Sequence, residues 1–136
     1  MSNVKNPKKL KELAEKYNLR LLLLFGSRAG DPKFLHKESD FDVAYLSEKK
    51  LDLREESKLI CDLMPVFKSE KVDLVNLENA GPLLMQQVFK NHKILFCEDM
   101  QVYFQYEVYA ERKYAEAKPL FQLQKDLINN FLKKYA

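Results

Sequence analysis

Apolar residues recur along the chain with two spacings, and each change of spacing predicts a change from helix to strand. Near the N-terminus, Asn6 and Pro7 are typical of the start of a helix. Apolar side chains then follow at the spacing of one helical face, and they are Leu10, Leu13, Ala14 and Tyr17. The apolar run at residues 21–25 is too short for a buried helix, so it predicts a buried strand at about residues 20–25.

The middle of the chain repeats this exchange of helix and strand. Residues 40–46 form a second apolar run that opens with Asp40, Phe41 and Asp42, and in a strand it would place the two acids on one face and Phe41 on the other, which predicts a second strand. A helix that ends at Pro65 follows, and the pattern then predicts a strand at residues 71–77, a helix from Gly81 to Phe89 and an edge strand at residues 92–96. This order predicts an α/β (α+β) fold, with a small mixed sheet of three to four strands flanked by helices.

The last third of the chain has a helical pattern throughout. Residues 102–117 and 120–135 predict two C-terminal helices, separated at Pro119 because proline disfavours a helix interior. The second helix carries a wide apolar stripe, formed by Leu120, Leu123, Leu127, Ile128, Phe131 and Leu132. A chain of 136 residues fits one domain. We therefore expect a core at residues 1–98 and a helical extension at residues 99–136 that packs on it.

The junction between the first two strands holds the first candidate site. Gly26 and Ser27 end the first apolar run, and Gly26 and Gly30 bracket Ser27, Arg28 and Ala29. Glycine permits positive φ and lets backbone N–H groups come close to a ligand. We interpret Gly26, Ser27 and Arg28 as phosphate-binding residues. The alternatives are that Ser27 only caps a turn and that Arg28 forms an exposed ion pair.

Asp40 and Asp42 open the second strand on one face of the sheet. Their Cα atoms are roughly 7 Å apart, at about 3.3 Å of rise per residue. Two ionised carboxylates this close repel each other unless a cation holds both charged, and Mg²⁺ is usually bound by one or two carboxylates together with substrate phosphates. A solvated strand face with two acids is the alternative. Beside a phosphate-binding turn, the pair predicts a site for a nucleotide and magnesium.

These residues carry a resemblance to a known family. Gly26–Ser27, a twelve-residue spacer and Asp40–x–Asp42 resemble the signature of the DNA polymerase beta-like nucleotidyltransferase superfamily, whose smallest members are the minimal nucleotidyltransferases. That pattern includes a third carboxylate on a neighbouring strand, and Asp73 is similarly placed. The resemblance covers about residues 8–96 and implies the nucleotidyltransferase fold. It also implies ATP as substrate, two Mg²⁺ ions bound by the three acids, and a role for Asp73 in deprotonating the attacking hydroxyl.

The size of the chain extends this resemblance to the antitoxins of HEPN/MNT toxin–antitoxin pairs. The resemblance implies transfer of AMP from ATP to a tyrosine of a HEPN ribonuclease toxin, which neutralises the toxin. It also implies a stable complex with that toxin, which we expect to form through the C-terminal helices. Two alternatives remain open: transfer to a small hydroxylated compound such as an aminoglycoside, and a non-catalytic antitoxin that acts by binding alone.

Composition restricts the other classes of function. The net charge of +3, from 23 basic and 20 acidic residues, is mild, so we expect no direct binding of nucleic acid, which favours a concentrated basic stripe. The apolar run at residues 21–25 is too short to cross a membrane, and the N-terminus has no signal-peptide core. Cys61 and Cys97 form no CxxC pair, and His36 and His92 stand alone in the sequence. We therefore expect a reduced, cytoplasmic protein with no zinc cluster.

Overall fold

A computed structural model describes residues 6–26 and 40–135, which form one mixed sheet with helices on both faces. In chain order the elements are α1 (Pro7–Tyr17), β1 (Leu19–Phe25), β2 (Phe41–Ser47), α2 (Leu53–Phe67), β3 (Val72–Asn76), α3 (Pro82–Lys90), β4 (His92–Cys97) and α4 (Met100–Tyr135). The strand order is β3–β2–β1–β4, where β2 and β3 are parallel and the other two pairs are antiparallel. The predicted mixed sheet is thus confirmed, with β4 at one edge.

Helices α1 and α2 cover one face of the sheet. Side chains of β1 and β2 alternate across the pleat, and those on this face include Leu22, Leu24, Val43 and Tyr45, which pack against the apolar sides of the two helices. Helix α2 begins with a capping box between Asp52 and Glu55. The Tyr17 hydroxyl and the Lys16 ammonium contact the Asp62 carboxylate at 2.6 and 2.9 Å and join α1 to α2.

Helices α3 and α4 cover the opposite face. The buried residues on this side include Leu21, Leu23, Phe25, Ala44 and Leu46 from the sheet, Val88 from α3, and Val102 and Tyr103 from α4. Full burial of one such aliphatic or aromatic side chain contributes about 1.5–3 kcal/mol, whereas an exposed ion pair contributes about 0–1 kcal/mol. Apolar packing therefore fixes α3 and the first third of α4 on the sheet.

Two helix ends differ from the sequence prediction, and both involve proline. Helix α2 continues past Pro65 to Phe67, and α4 is one helix that passes through Pro119 instead of two helices separated there. A proline removes the hydrogen bond to the carbonyl four residues earlier, which belongs to Cys61 in α2 and to Ala115 in α4. Both of these residues are exposed. Water can therefore satisfy the two carbonyls, and the helices continue.

The second half of α4 leaves the core. Between residues 118 and 135, every residue except Phe121 is exposed. The apolar stripe predicted from the sequence lies within this segment, and Leu127 and Phe131 keep 59% and 61% of their surface accessible. No helix in the described ranges is both long enough and apolar enough to cross a membrane. Helix α4 has the length, but it is too polar.

Candidate functional site

The predicted carboxylates meet at the edge of the sheet where β1 ends and β2 and β3 begin. Asp42 pairs in register with Asp73 of β3 on one side and with Phe25 of β1 on the other. Paired residues on neighbouring strands lie side by side, with the strands about 4.8 Å apart. The parallel pairing of β2 and β3 thus brings together two acids that are far apart in the sequence, and Asp40 immediately precedes β2.

The pleat directs these acids to the side of the sheet that α3 and α4 cover. Ala44, two residues after Asp42, belongs to the core on that side, and so does Val75, two residues after Asp73. Alternation therefore places both carboxylates on this face. Asp42 is half-buried, whereas Asp40 and Asp73 are exposed, so the group is open to solvent on the side of Asp73.

Burial and like charge both act on Asp42. Burial raises the pKa of its carboxyl group above the ordinary value, and the nearby carboxylates of Asp73 and then Asp40 raise it further. The described side chains do not close into a cluster of three or more acidic, histidine or cysteine ligands. The donor set nevertheless suits magnesium, because oxygen ligands that repel one another are stabilised by a hard divalent cation.

Gly26 lies in contact with Asp42. Its φ is +78°, and a Cβ atom built on it would lie 2.7 Å from Oδ2 of Asp42. The backbone conformation and the lack of space both require glycine here. Ser27 and Arg28, which the sequence predicts to bind phosphate beside Gly26, lie outside the described residues.

A hydrogen-bonded chain that was not predicted from the sequence lies beside this site. His92 pairs with Phe25 across β4 and β1, so it continues the row that contains Asp73 and Asp42. Its Nε2 lies 2.7 Å from the Tyr103 hydroxyl, which donates a hydrogen bond to Glu107 at 2.9 Å. The only sequence signal is the i, i+4 spacing of Tyr103 and Glu107 on one helical face; nothing in it connects them to His92.

A groove of about 310 Å³ opens between α3 and α4, next to the hydrogen-bonded chain of His92, Tyr103 and Glu107. Its walls include Phe89 and Lys90 at the end of α3, and Glu107, Glu111 and Tyr114 on α4. Because Phe89 and Glu107 also belong to the surroundings of His92, the groove and the hydrogen-bonded chain are adjacent.

Comparison with known proteins agrees with this geometry. A family model described as polymerase beta nucleotidyltransferase matches residues 8–101. The chain is similar to the protein adenylyltransferase MntA of Aphanizomenon flos-aquae, with 27% identity over 125 residues that cover 87% of this chain and 83% of the relative. It is also similar to MntA of Shewanella oneidensis, with 37% identity over 78 residues that cover 57% of this chain and 54% of that protein.

Solved structures show the same likeness over most of the chain. A crystal structure of a toxin–antitoxin with AMP-PNP matches with a TM-score of 0.75 and 30% identity, over 90% of this chain and 98% of the matched chain. A structure of the tri-AMPylated HEPN toxin of Shewanella oneidensis in complex with its MNT antitoxin matches with a TM-score of 0.71 and 28% identity, over 90% and 95% of the two chains.

Proposed function

This chain belongs to the polymerase beta nucleotidyltransferase family, and on that premise we propose that it is an antitoxin that transfers AMP from ATP to a tyrosine of a cognate HEPN-type toxin. The observation that carries the proposal is the pairing of Asp42 with Asp73 directly beside Gly26. The similar adenylyltransferases, and the complexes that contain an AMPylated toxin or AMP-PNP, support it.

The reaction is a displacement at the α-phosphorus of ATP. The oxygen of the acceptor hydroxyl forms a bond to this phosphorus, the bond to the oxygen that bridges the α- and β-phosphates breaks, and pyrophosphate leaves. Asp73 accepts the hydroxyl proton. Because Asp73 is exposed and lies in β3 at the edge of the sheet, an acceptor on the surface of another protein can reach it.

Asp40, Asp42 and Asp73 would hold two Mg²⁺ ions, whose charge, when bound, stabilises the attacking and leaving oxygens. Asp42 is the central member, because it is the acid whose pKa burial and the other two carboxylates raise. Gly26 would bring its backbone N–H close to the β- and γ-phosphates, with Ser27 and Arg28 completing the contacts. Removal of magnesium with EDTA should therefore abolish transfer.

The exposed half of α4 supports a protein as the acceptor. All six residues of its apolar stripe keep more than half of their surface exposed, and exposed apolar surface of this kind marks interaction sites. Lys118, Lys125, Lys133 and Lys134 outnumber Asp126 along the same segment, so the stripe favours an apolar partner surface edged with carboxylates. We propose residues 1–98 as the catalytic unit and residues 99–136 as the partner-binding extension of a cytoplasmic enzyme.

Co-expression tests this function directly. The chain is produced together with the product of the adjacent reading frame, which we expect to be a small helical protein, and the complex is analysed by intact mass with and without ATP and Mg²⁺. We expect the partner to gain the mass of one or more AMP groups, which peptide mapping should locate on tyrosine. The matched Asp42→Asn chain should bind the partner but leave its mass unchanged.

Two other outcomes contradict the proposal. AMP found on a small hydroxylated compound and never on a protein would identify a small-molecule nucleotidyltransferase. Full neutralisation of the partner by a chain that lacks both Asp40 and Asp42 carboxylates would identify an antitoxin that acts by binding alone.

A further inference from the structure

His92 connects three elements at the edge of the sheet that carries the acids. Its Nδ1 lies 3.1 Å from the carbonyl oxygen of Phe89 at the end of α3, and its Nε2 lies 2.7 Å from the Tyr103 hydroxyl on α4. His92 itself opens β4 and pairs with Phe25, the residue before Gly26. At about 4.8 Å per strand, the backbones of His92 and Asp42 are roughly 10 Å apart.

The contacts of His92 can be satisfied together only with one extra proton. The Phe89 carbonyl oxygen is an acceptor, so Nδ1 must carry a hydrogen. The Tyr103 hydroxyl has a single hydrogen, and both Nε2 and the Glu107 carboxylate can accept it. When Nε2 is also protonated, it donates to the Tyr103 oxygen, and Tyr103 donates to Glu107. The hydrogen-bonded chain then runs from the His92 cation to the Glu107 carboxylate, and each polar hydrogen in it is donated to an acceptor.

We propose that this proton-carrying chain holds α4 at a fixed angle beside the acids, and that His92 is thereby a positioning residue for AMP transfer. The proposal rests on the function proposed above, because α4 also carries the surface assigned to the partner. Tyr103 has only 8% of its surface exposed and packs against the rings of His92 and Phe89. Its position therefore depends on the hydrogen-bonded chain. A small rotation of α4 would displace a docked acceptor hydroxyl, and misplacement by about 1 Å can cost up to roughly 100-fold in rate.

Among the residues that the structure describes, few other charged groups face this hydrogen-bonded chain. Lys90 of α3 and Glu111 of α4 line the adjacent groove, and Cys97 of β4 and Glu107 are the groups that act electrostatically on Tyr103. Phe25, the neighbour on β1, is apolar. Burial and the Glu107 carboxylate raise the pKa of Tyr103 to about 12, so its hydroxyl keeps its hydrogen and remains the bridge.

Tyr103→Phe tests the proposal, because it removes the bridging hydroxyl and keeps the buried ring. In the purified complex with ATP and Mg²⁺, we expect kcat for AMP transfer to fall about tenfold, while the Kd of the partner and the KM of ATP stay within twofold of wild type. The matched control is Tyr17→Phe, which removes a tyrosine–carboxylate bond on the other face of the sheet. It should lower stability and leave kcat unchanged.

Two substitutions at His92 separate positioning from a general role in stability. The Gln amide nitrogen reaches the place of Nε2 and donates to Tyr103 at every pH, whereas the Asn amide nitrogen reaches only the place of Nδ1. His92→Gln should keep kcat near wild type, and His92→Asn should match Tyr103→Phe.

Failure of the positioning role and failure of the proposed function give different results. If the wild-type complex transfers no AMP, the proposed function fails. If wild type is active and Tyr103→Phe has the same kcat, or if kcat, Kd and thermal stability all fall together in both His92 variants, the positioning role is wrong.

Discussion

Gly26 and Asp42 touch across the junction of β1 and β2, where a Cβ atom on Gly26 would lie 2.7 Å from Oδ2 of Asp42. This contact joins the residue that begins the predicted phosphate turn to the central acid of the site. A side chain at Gly26 would have to displace the carboxylate, and it would also have to adopt a φ of +78°. The position therefore couples backbone conformation to the geometry of the acids.

Gly26→Ala should consequently damage the site more than the fold. A left-handed conformation costs a non-glycine residue about 1–2 kcal/mol, which the two core layers can tolerate, whereas movement of Asp42 would disrupt magnesium and phosphate binding together. We expect AMP transfer to fall at least 100-fold while the circular dichroism spectrum is retained. Titration calorimetry with Mg²⁺ and a non-hydrolysable ATP analogue checks the loss of binding, and Gly81→Ala, where a Cβ meets no atom within 4 Å, is the control. Normal analogue binding by the Gly26 variant would contradict the assignment.

Asp42→Asn should stabilise the metal-free protein while it abolishes transfer. Because the pKa of Asp42 is raised in the folded state, the folded chain binds more protons than the unfolded chain at mildly acidic pH, and stability falls as the pH rises above the ordinary value of 3.8. Asparagine removes this penalty. In EDTA at pH 7 we expect Tm to rise by a few degrees, since about 1 kcal/mol corresponds to roughly 4 °C for a domain of this size. The gain should disappear near pH 3, and a gain of equal size there would exclude a charge effect.

Asp62→Asn should have the opposite effect on stability. The hydrogen bond from Tyr17 is the largest cause that lowers the pKa of Asp62, followed by the interactions with Lys16. A lowered pKa in the folded state stabilises the fold above the ordinary pKa, and this contribution is lost as the pH falls through the folded value. We expect a loss of about 1 kcal/mol at pH 7, measured by urea unfolding, and a smaller loss at pH 3. Kinetics of AMP transfer should stay at wild type.

Leu127→Glu should weaken partner binding without unfolding the chain. Leu127 keeps 59% of its surface exposed, so the isolated chain loses little. In a complex that buries the stripe, loss of one leucine contact costs about 1.5–3 kcal/mol, which is roughly a 10- to 150-fold increase in Kd. Asn129→Glu, on the polar side of α4, is the matched control for the added charge. Equal effects of the two variants in an interferometry assay would place the partner elsewhere.

Local patterns were sufficient to predict most of the sheet. The alternation along β2 separates Ala44 from Val43 and Tyr45, and the structure places them in opposite core layers. Asp42 lies on the same face as Ala44, at the edge of the sheet. The short apolar run of β1 was likewise sufficient, because a run of this length that is buried on both faces can be satisfied by a strand.

The features that the sequence could not predict depend on contacts between distant elements. His92 is isolated in the sequence because its partners come from α3 and α4, and only the order of the strands places it in the row of Asp42. Pro119 indicated a helix break, but the cost of one lost hydrogen bond depends on whether water reaches the carbonyl of Ala115, and that is a property of the surface. The assignment of Ser27 and Arg28 to phosphate and the boundary at residue 98 remain predictions.

The exposed stripe on α4 has a consequence for the lifetime of the chain in a cell. A helix that presents leucine and phenylalanine to water attracts chaperones and is easily bound by proteases when it frays, whereas the same surface is hidden once a partner occupies it. Chains made in excess of their partner should therefore be degraded first, so that turnover adjusts the two proteins toward equal supply without a dedicated sensor.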